Sequence, residues 1–169
     1  GTLDKYIGDA VMGFWGAPVE NAQHAACSVK TATEMVQKLD ELNISFNKKY
    51  GFTIDIGIGI NSGEVSVGNF GSNKVFEYTV IGDNVNLASR LESITKYYGT
   101  KIIISEFTKQ LLKPGEFTTR EVDTVKVKGK HKPVKIYEVI PDTPAFTTVK
   151  QGLESFNHGL SSYYSQKWE

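Results

Sequence analysis

Residues 76–92 change their hydrophobic period midway, and that change constrains the fold more than any other feature of the chain. Residues 76–81, Phe-Glu-Tyr-Thr-Val-Ile, are aromatic and β-branched, which predicts a strand. Gly82 breaks the run, and Asp83 is the expected N-cap of a helix. From there Leu87, Ala88, Leu91, Ile94 and Tyr98 recur on one helical face. On another face Asn86 and Arg90 stand four residues apart, so their side chains are neighbours. An amide beside a guanidinium, near the positive end of a helix dipole, can receive an anion such as a phosphate. Taken alone, the pair reads first as ordinary surface residues of an amphipathic helix, and anion receipt is the second reading.

The rest of the chain is punctuated around this unit. Residues 10–15 are a strand-like apolar run behind a tight Gly8-Asp9 turn, which predicts a short hairpin with Asp9 at its tip. Such an aspartate either closes an Asx-turn or offers a hard oxygen to a divalent cation. Asn21 is the expected cap of a long helix whose period runs through Ala25, Val29, Ala32 and Val36, and Tyr50-Gly51 closes it. In residues 52–60, Ile54, Ile56, Ile58 and Ile60 alternate with Asp55, Gly57 and Gly59. That predicts a strand whose bare glycine face lies close to a backbone, a helix or a ligand. A turn at Asn61-Ser62-Gly63, a strand over 64–70 and a turn at 71–74 come next. Three strands in series predict an antiparallel meander with helix 83–98 packed on it.

Beyond Gly99 the sequence predicts a short buried strand at Ile102-Ile103-Ile104, a brief helix over 106–112, and strands over 117–127 and 134–140. Lys128 and Lys130 fall at the turn between the last two, as solvated turn lysines or as a clamp for a triphosphate. Pro141 and Pro144 mark a boundary. Residues 146–168 are again amphipathic, with Leu153, Phe156, Leu160, Tyr163, Tyr164 and Trp168. This segment is expected to pack back on the domain or to begin a further helical region. Positive and negative side chains balance at 19 each, which argues against a non-specific nucleic-acid binder and against a polybasic membrane surface. No run approaches the ~18 apolar residues of a membrane helix, so no direct membrane contact is expected from this piece; a membrane anchor in a larger parent chain stays open. A single cysteine, Cys27, allows no internal disulfide and suits a reducing compartment, so the expected location is cytoplasmic.

Four runs, in this order, resemble the class III adenylyl/guanylyl cyclase catalytic domain: Lys5-Tyr6-Ile7-Gly8-Asp9-Ala10-Val11-Met12; Gly57-Ile58-Gly59-Ile60-Asn61-Ser62-Gly63-Glu64-Val65; residues 78–90, Tyr-Thr-Val-Ile-Gly-Asp-Asn-Val-Asn-Leu-Ala-Ser-Arg; and Val127-Lys128-Gly129-Lys130. The resemblance covers residues 1 to about 140. It implies a cyclase domain over 1–141, succeeded over 142–169 by a linker and an amphipathic helical tail. From Phe156 onward that tail has a partial resemblance to a tetratricopeptide-type hairpin. The implied fold is α+β, a ferredoxin-like βαββαβ-type core with a mainly antiparallel sheet and packed helices.

The implied activity is adenylate cyclase in signal transduction. ATP becomes 3′,5′-cyclic AMP and pyrophosphate when the ribose 3′-hydroxyl attacks the α-phosphate, assisted by two ions of Mg²⁺ or Mn²⁺. By the same resemblance Asp9 is a metal ligand, and Lys5 and Thr79 read the adenine. Asn86 positions the ribose, Arg90 holds the transferring phosphate, and Lys128 binds phosphate, with Lys130 the next candidate. In the family the metal aspartates come from one subunit and the base-reading, Asn and Arg residues from the other. A homodimer with two equivalent sites is therefore implied, with the hairpin around 69–76 reaching toward the partner. One departure is large: the family's first metal aspartate lies upstream of the Lys5–Asp9 motif, before Gly1. The opening strand, the helices after it and half of the metal site are thus expected to be absent, and these 169 residues alone are expected to have little or no cyclase activity. The alternatives are a guanylate cyclase and a non-catalytic nucleotide-sensing module of the same fold.

Overall fold

The computed structural model describes residues 1–72, 76–126, 133–142 and 146–166, excepting the side chains of 146–148 and 150. Its elements are β1 (Thr2–Ile7), β2 (Ala10–Phe14), α1 (His24–Tyr50), β3 (Ile58–Ile60), β4 (Ser66–Gly71), β5 (Phe76–Ile81), α2 (Asp83–Tyr98), β6 (Ile102–Ser105), α3 (Glu106–Gln110), β7 (Thr119–Val125), β8 (Val134–Val139) and α4 (Phe146–Tyr164).

The sheet at the centre runs β3-β6-β8-β7, with β3 and β6 parallel and the other neighbours antiparallel. All four residues of β6 are buried, because a helix covers each face. On one side Ala25, Val29, Ala32 and Val36 of α1 pack with Ile102, Ile104 and Val139. On the other, Leu87 and Leu91 of α2 pack with Ile103, Val134 and Ile136. The side-chain alternation of β6 thus divides its isoleucines between the two helices. Ile56, Ile58 and Ile60 join the α1 side. The glycines between them face α2. A Cβ on Gly59 would stand 2.2 Å from the Glu92 nitrogen and 2.3 Å from the Ala88 oxygen, and one on Gly57 would stand 2.1 Å from Thr95 Oγ1. The close neighbour expected for the glycine face is therefore a helix.

The expected opening hairpin is present. β1 and β2 pair antiparallel with Ile7 opposite Ala10, and Asp9 is exposed in the turn between them. Gly8 takes a φ of +64° there, a conformation that costs glycine little. The C-terminus of α1 also falls where expected: Gly51 adopts the left-handed conformation, and its N–H donates to the Asn47 carbonyl at 2.9 Å. Its start does not. Asn21 accepts from the Gln23 N–H at 2.8 Å, forming an Asx-turn ahead of the helix, which begins at His24.

Three further expectations need correction. The meander over β3, β4 and β5 does not form. β4 pairs with β5 in a separate two-stranded ribbon, and β3 pairs in parallel with β6. A parallel pair needs a long crossover, which the β4–β5 hairpin and α2 together supply. The strand over 52–60 shrinks to Ile58–Ile60. Upstream of it the Asn43 amide takes both backbone groups of Ile54, donating to its oxygen and accepting from its nitrogen at 2.8 Å each. Those groups need no neighbouring strand. Finally, Asp83 does not cap α2. Gly82 holds the cap position at φ +145°, and its carbonyl accepts from the Val85 and Asn86 nitrogens at 3.1 and 3.3 Å. Asp83 is the first helical residue, where its charge complements the helix dipole.

The amphipathic tail packs back on the domain. The Tyr164 hydroxyl donates to Glu121 Oε1 at 2.9 Å, and the Arg120 guanidinium stands 4.9 Å from the centre of the Phe156 ring. Trp168 lies outside the described residues. Among the described residues no helix is long and apolar enough to cross a membrane.

Candidate active site

The buried stripe of α2 decides what its other face presents. With Leu87 and Leu91 both fully buried, Asn86 and Arg90 are turned outward and exposed. A polar network fixes the start of the helix that carries them. Ser105 Oγ donates to Asn61 Oδ1 at 2.6 Å, and Asn61 Nδ2 donates to the Asn84 carbonyl at 3.0 Å. Asn84 Nδ2 in turn donates to the Glu64 carbonyl at 2.9 Å. The loop after β3 is thereby tied to the residue two before Asn86. Sequence reasoning gave Asn61 only a place in a turn; its position directly after a glycine-bearing strand was the available signal. Arg90 also shares a shallow recess with Lys126, at the end of β7. Lys128 and Lys130 fall outside the described residues.

A second group gathers where β1 lies against β5. Lys5 and Thr79, far apart in sequence, are joined there by Asp4. Thr79 is 6% exposed and its hydroxyl donates to Asp4 Oδ2 at 2.6 Å. The Asp4 side chain is 1% exposed, and its other oxygen, Oδ1, has no hydrogen-bond partner. Lys5 Nζ stands 3.8 Å from that oxygen and 2.6 Å from Glu77 Oε2. The Glu77 hydrogen bond does most to raise the lysine pKa above its ordinary value, with burial opposing it and the Asp4 charge adding to it. Consecutive strand residues normally face opposite ways. Here the β1–β2 register slips between Leu3 and Lys5, a bulge at Asp4 that lets Asp4 and Lys5 both reach β5. Asp4 and Glu77 were missed in the sequence. A carboxylate inside a strand, directly before Lys5, was the available signal for Asp4; Glu77, exposed on β5, offered none.

Asp9 stands apart at its hairpin tip. Among the described residues no cluster of three or more His, Cys, Asp or Glu side chains could hold a metal ion. One exposed carboxylate still fits a way in which Mg²⁺ is commonly held, by one or two carboxylates together with substrate phosphates.

Residues 5–140 match the family model described as the adenylate and guanylate cyclase catalytic domain. Over 145 residues the chain is 41% identical to the adenylate cyclase of Anabaena cylindrica, covering 82% of this chain and 28% of that protein. It is also 41% identical over 145 residues to the terminal-differentiation-specific adenylate cyclase of Dictyostelium discoideum, covering 83% of this chain and 6% of that one. The chain thus spans less than a third of either relative's length. The crystal structure of the adenylyl cyclase CyaB from P. aeruginosa superposes with a TM-score of 0.75 at 35% identity, covering 85% of this chain and 74% of that one.

Proposed function

Since the chain belongs to the adenylate and guanylate cyclase catalytic domain family, we propose that it serves an adenylate cyclase that forms 3′,5′-cyclic AMP and pyrophosphate from ATP. The observation that carries the choice of base is the gathering of Lys5 and Thr79 at one edge. Adenine presents a ring-nitrogen acceptor beside an amino donor. Lysine can only donate and threonine can accept, so the two match that edge. Guanine presents the reverse order, a ring N–H beside an oxygen, and sets that N–H against a lysine that cannot accept.

In this reading Asn86 orients the ribose and Arg90 holds the α-phosphate, whose charge it stabilises as the bonds change. Lys128, with Lys126 nearby in sequence, holds the phosphates that leave. The ribose 3′-oxygen bonds to the α-phosphorus, the bond to the bridging oxygen breaks, pyrophosphate departs, and the hydroxyl proton passes to solvent. Asp9 offers a carboxylate to Mg²⁺ or Mn²⁺, which supplies charge neutralisation to the phosphates when bound. A homodimer would bring Asp9 of one subunit to Asn86 and Arg90 of the other. Exposed apolar side chains on the opening hairpin favour a covered surface there: Leu3, Tyr6, Ile7 and Val11 are each more than half exposed.

The test is to purify the whole parent protein, incubate it with ATP or GTP and either ion, and identify products by mass spectrometry. Cyclic AMP from ATP is expected. Cyclic GMP alone would move the assignment to a guanylate cyclase. Nucleotide binding without either product would make the domain a sensor.

A further inference from the structure

Asp4 belongs to none of the roles assigned so far, yet it is the most completely buried charged side chain at the β1–β5 edge. A hydroxyl is an ambiguous reader. It carries one proton and two lone pairs, so it can donate to an oxygen or accept from an amine. Thr79 is not free to do both, because its proton is directed into Asp4 Oδ2 at 2.6 Å. That distance is typical of a hydroxyl donating to an ionised carboxylate, the stronger class of hydrogen bond. A threonine held this way has only lone pairs left for a ligand.

We propose that Asp4 is a positioning residue for base selection, which makes Thr79 an acceptor-only reader of an exocyclic amino group. This rests on the adenylate cyclase reading and deepens it. A 6-aminopurine donates to the remaining lone pair of Thr79. A 6-oxopurine brings an oxygen to the same place, where no proton is available, and the mispaired buried groups reject it. The second carboxylate oxygen acts on the other reader. Oδ1 stands 3.8 Å from Lys5 Nζ, outside hydrogen-bond reach, and favours the ammonium by charge alone. One carboxylate thus addresses both residues that face the base. The bulge at Asp4 is what makes this possible, since a regular strand would send Asp4 and Lys5 to opposite faces.

The parent protein and its variants are compared for the ratio of kcat/KM with ATP to that with GTP, and for equilibrium binding of the unreactive analogues 3′-deoxy-ATP and 3′-deoxy-GTP. Asp4→Ala frees the Thr79 proton. Its ATP-to-GTP ratio should fall about tenfold or more, mainly by gain of GTP binding. Asp4→Asn/Thr79→Asp places an acceptor-only carboxylate on β5 and an amide donor on β1, and should restore a ratio near that of the wild type. This double variant also decides the matter if Asp4→Ala does not fold, since it keeps a polar pair at the edge. A folded Asp4→Ala protein with the wild-type ratio overturns the inference, as does a folded double variant that has lost its ATP preference. A wild-type protein that prefers GTP, or binds neither analogue, instead overturns the adenylate cyclase reading on which the inference stands.

Discussion

One face of α2 buries Leu87 and Leu91 completely against Ile103, Val134 and Ile136. A residue away on the same helix, Asn86 and Arg90 are exposed, Arg90 beside the recess it shares with Lys126. The first face is continuous with the core and comes so near β3 that only glycine fits opposite it. The second lies outside that core and is held in place by it. The contrast separates stability from chemistry over a few ångströms. The buried stripe determines which way the polar pair points, so the same helix can be altered on one side to test folding and on the other to test function.

The largest effect is expected on the packed face. Leu91→Ala removes a fully buried side chain and should cost about 2–5 kcal/mol in denaturant unfolding; a near-neutral result would mean that α2 is not seated as described. On the outward face, Arg90→Ala should lower turnover of the parent protein about 10²–10³-fold while leaving its unfolding midpoint within about 0.5 kcal/mol. Comparable losses in both measurements would erase the distinction between the faces. Gly59→Ala sharpens the packed side further. Its new methyl would meet helix backbone rather than a movable side chain, and a loss of about 1–3 kcal/mol is expected by unfolding titration.

The smallest effect belongs to the far end of α2. Burial, and then the hydrogen bond to Asp123 Oδ2 at 2.5 Å, push the Tyr98 pKa up from 10.0 to about 12. A pKa raised by folding contributes stability that is fully present below 10.0 and is lost as pH rises through about 12. Tyr98→Phe should therefore unfold with a flatter alkaline dependence than the wild type across that window, with about 0.5–1.5 kcal/mol lost at neutral pH. Parallel alkaline curves for the two proteins would contradict this.

Much of this fold was legible because local chemistry and tertiary demand agreed. The turn at Gly8-Asp9, the end of α1 at Gly51 and the helix from 83 to 98 each arise from turn residues or a 3.6-residue period. Gly57 and Gly59 announced a close approach, and α2 makes it. Strand partners were not legible in the same way. A period of two tells which face of β3 is buried, not which strand lies beside it, so the pairing with β6 escaped the meander expectation. Residues 52–57 alternate like a strand, but the Asn43 side chain satisfies Ile54 instead. In the site, Asn86 and Arg90 are neighbours by helix geometry alone. Lys5 and Thr79 come together through Asp4, and neither spacing nor composition marks a contact between β1 and β5.

The outward face of α2 is proposed to work with Asp9 of a second subunit. Co-expression of the parent protein as Asp9→Asn and Arg90→Ala chains tests it most directly. Each variant alone should be nearly inactive. In mixed dimers one site receives both defects and the other neither, so cyclic AMP formation should return to roughly a quarter of the wild-type level by the two-fold symmetry of a dimer. If the mixture stays as inactive as its parts while the mixed dimers demonstrably form, Asp9 and Arg90 do not meet across subunits, and the shared-site account is wrong.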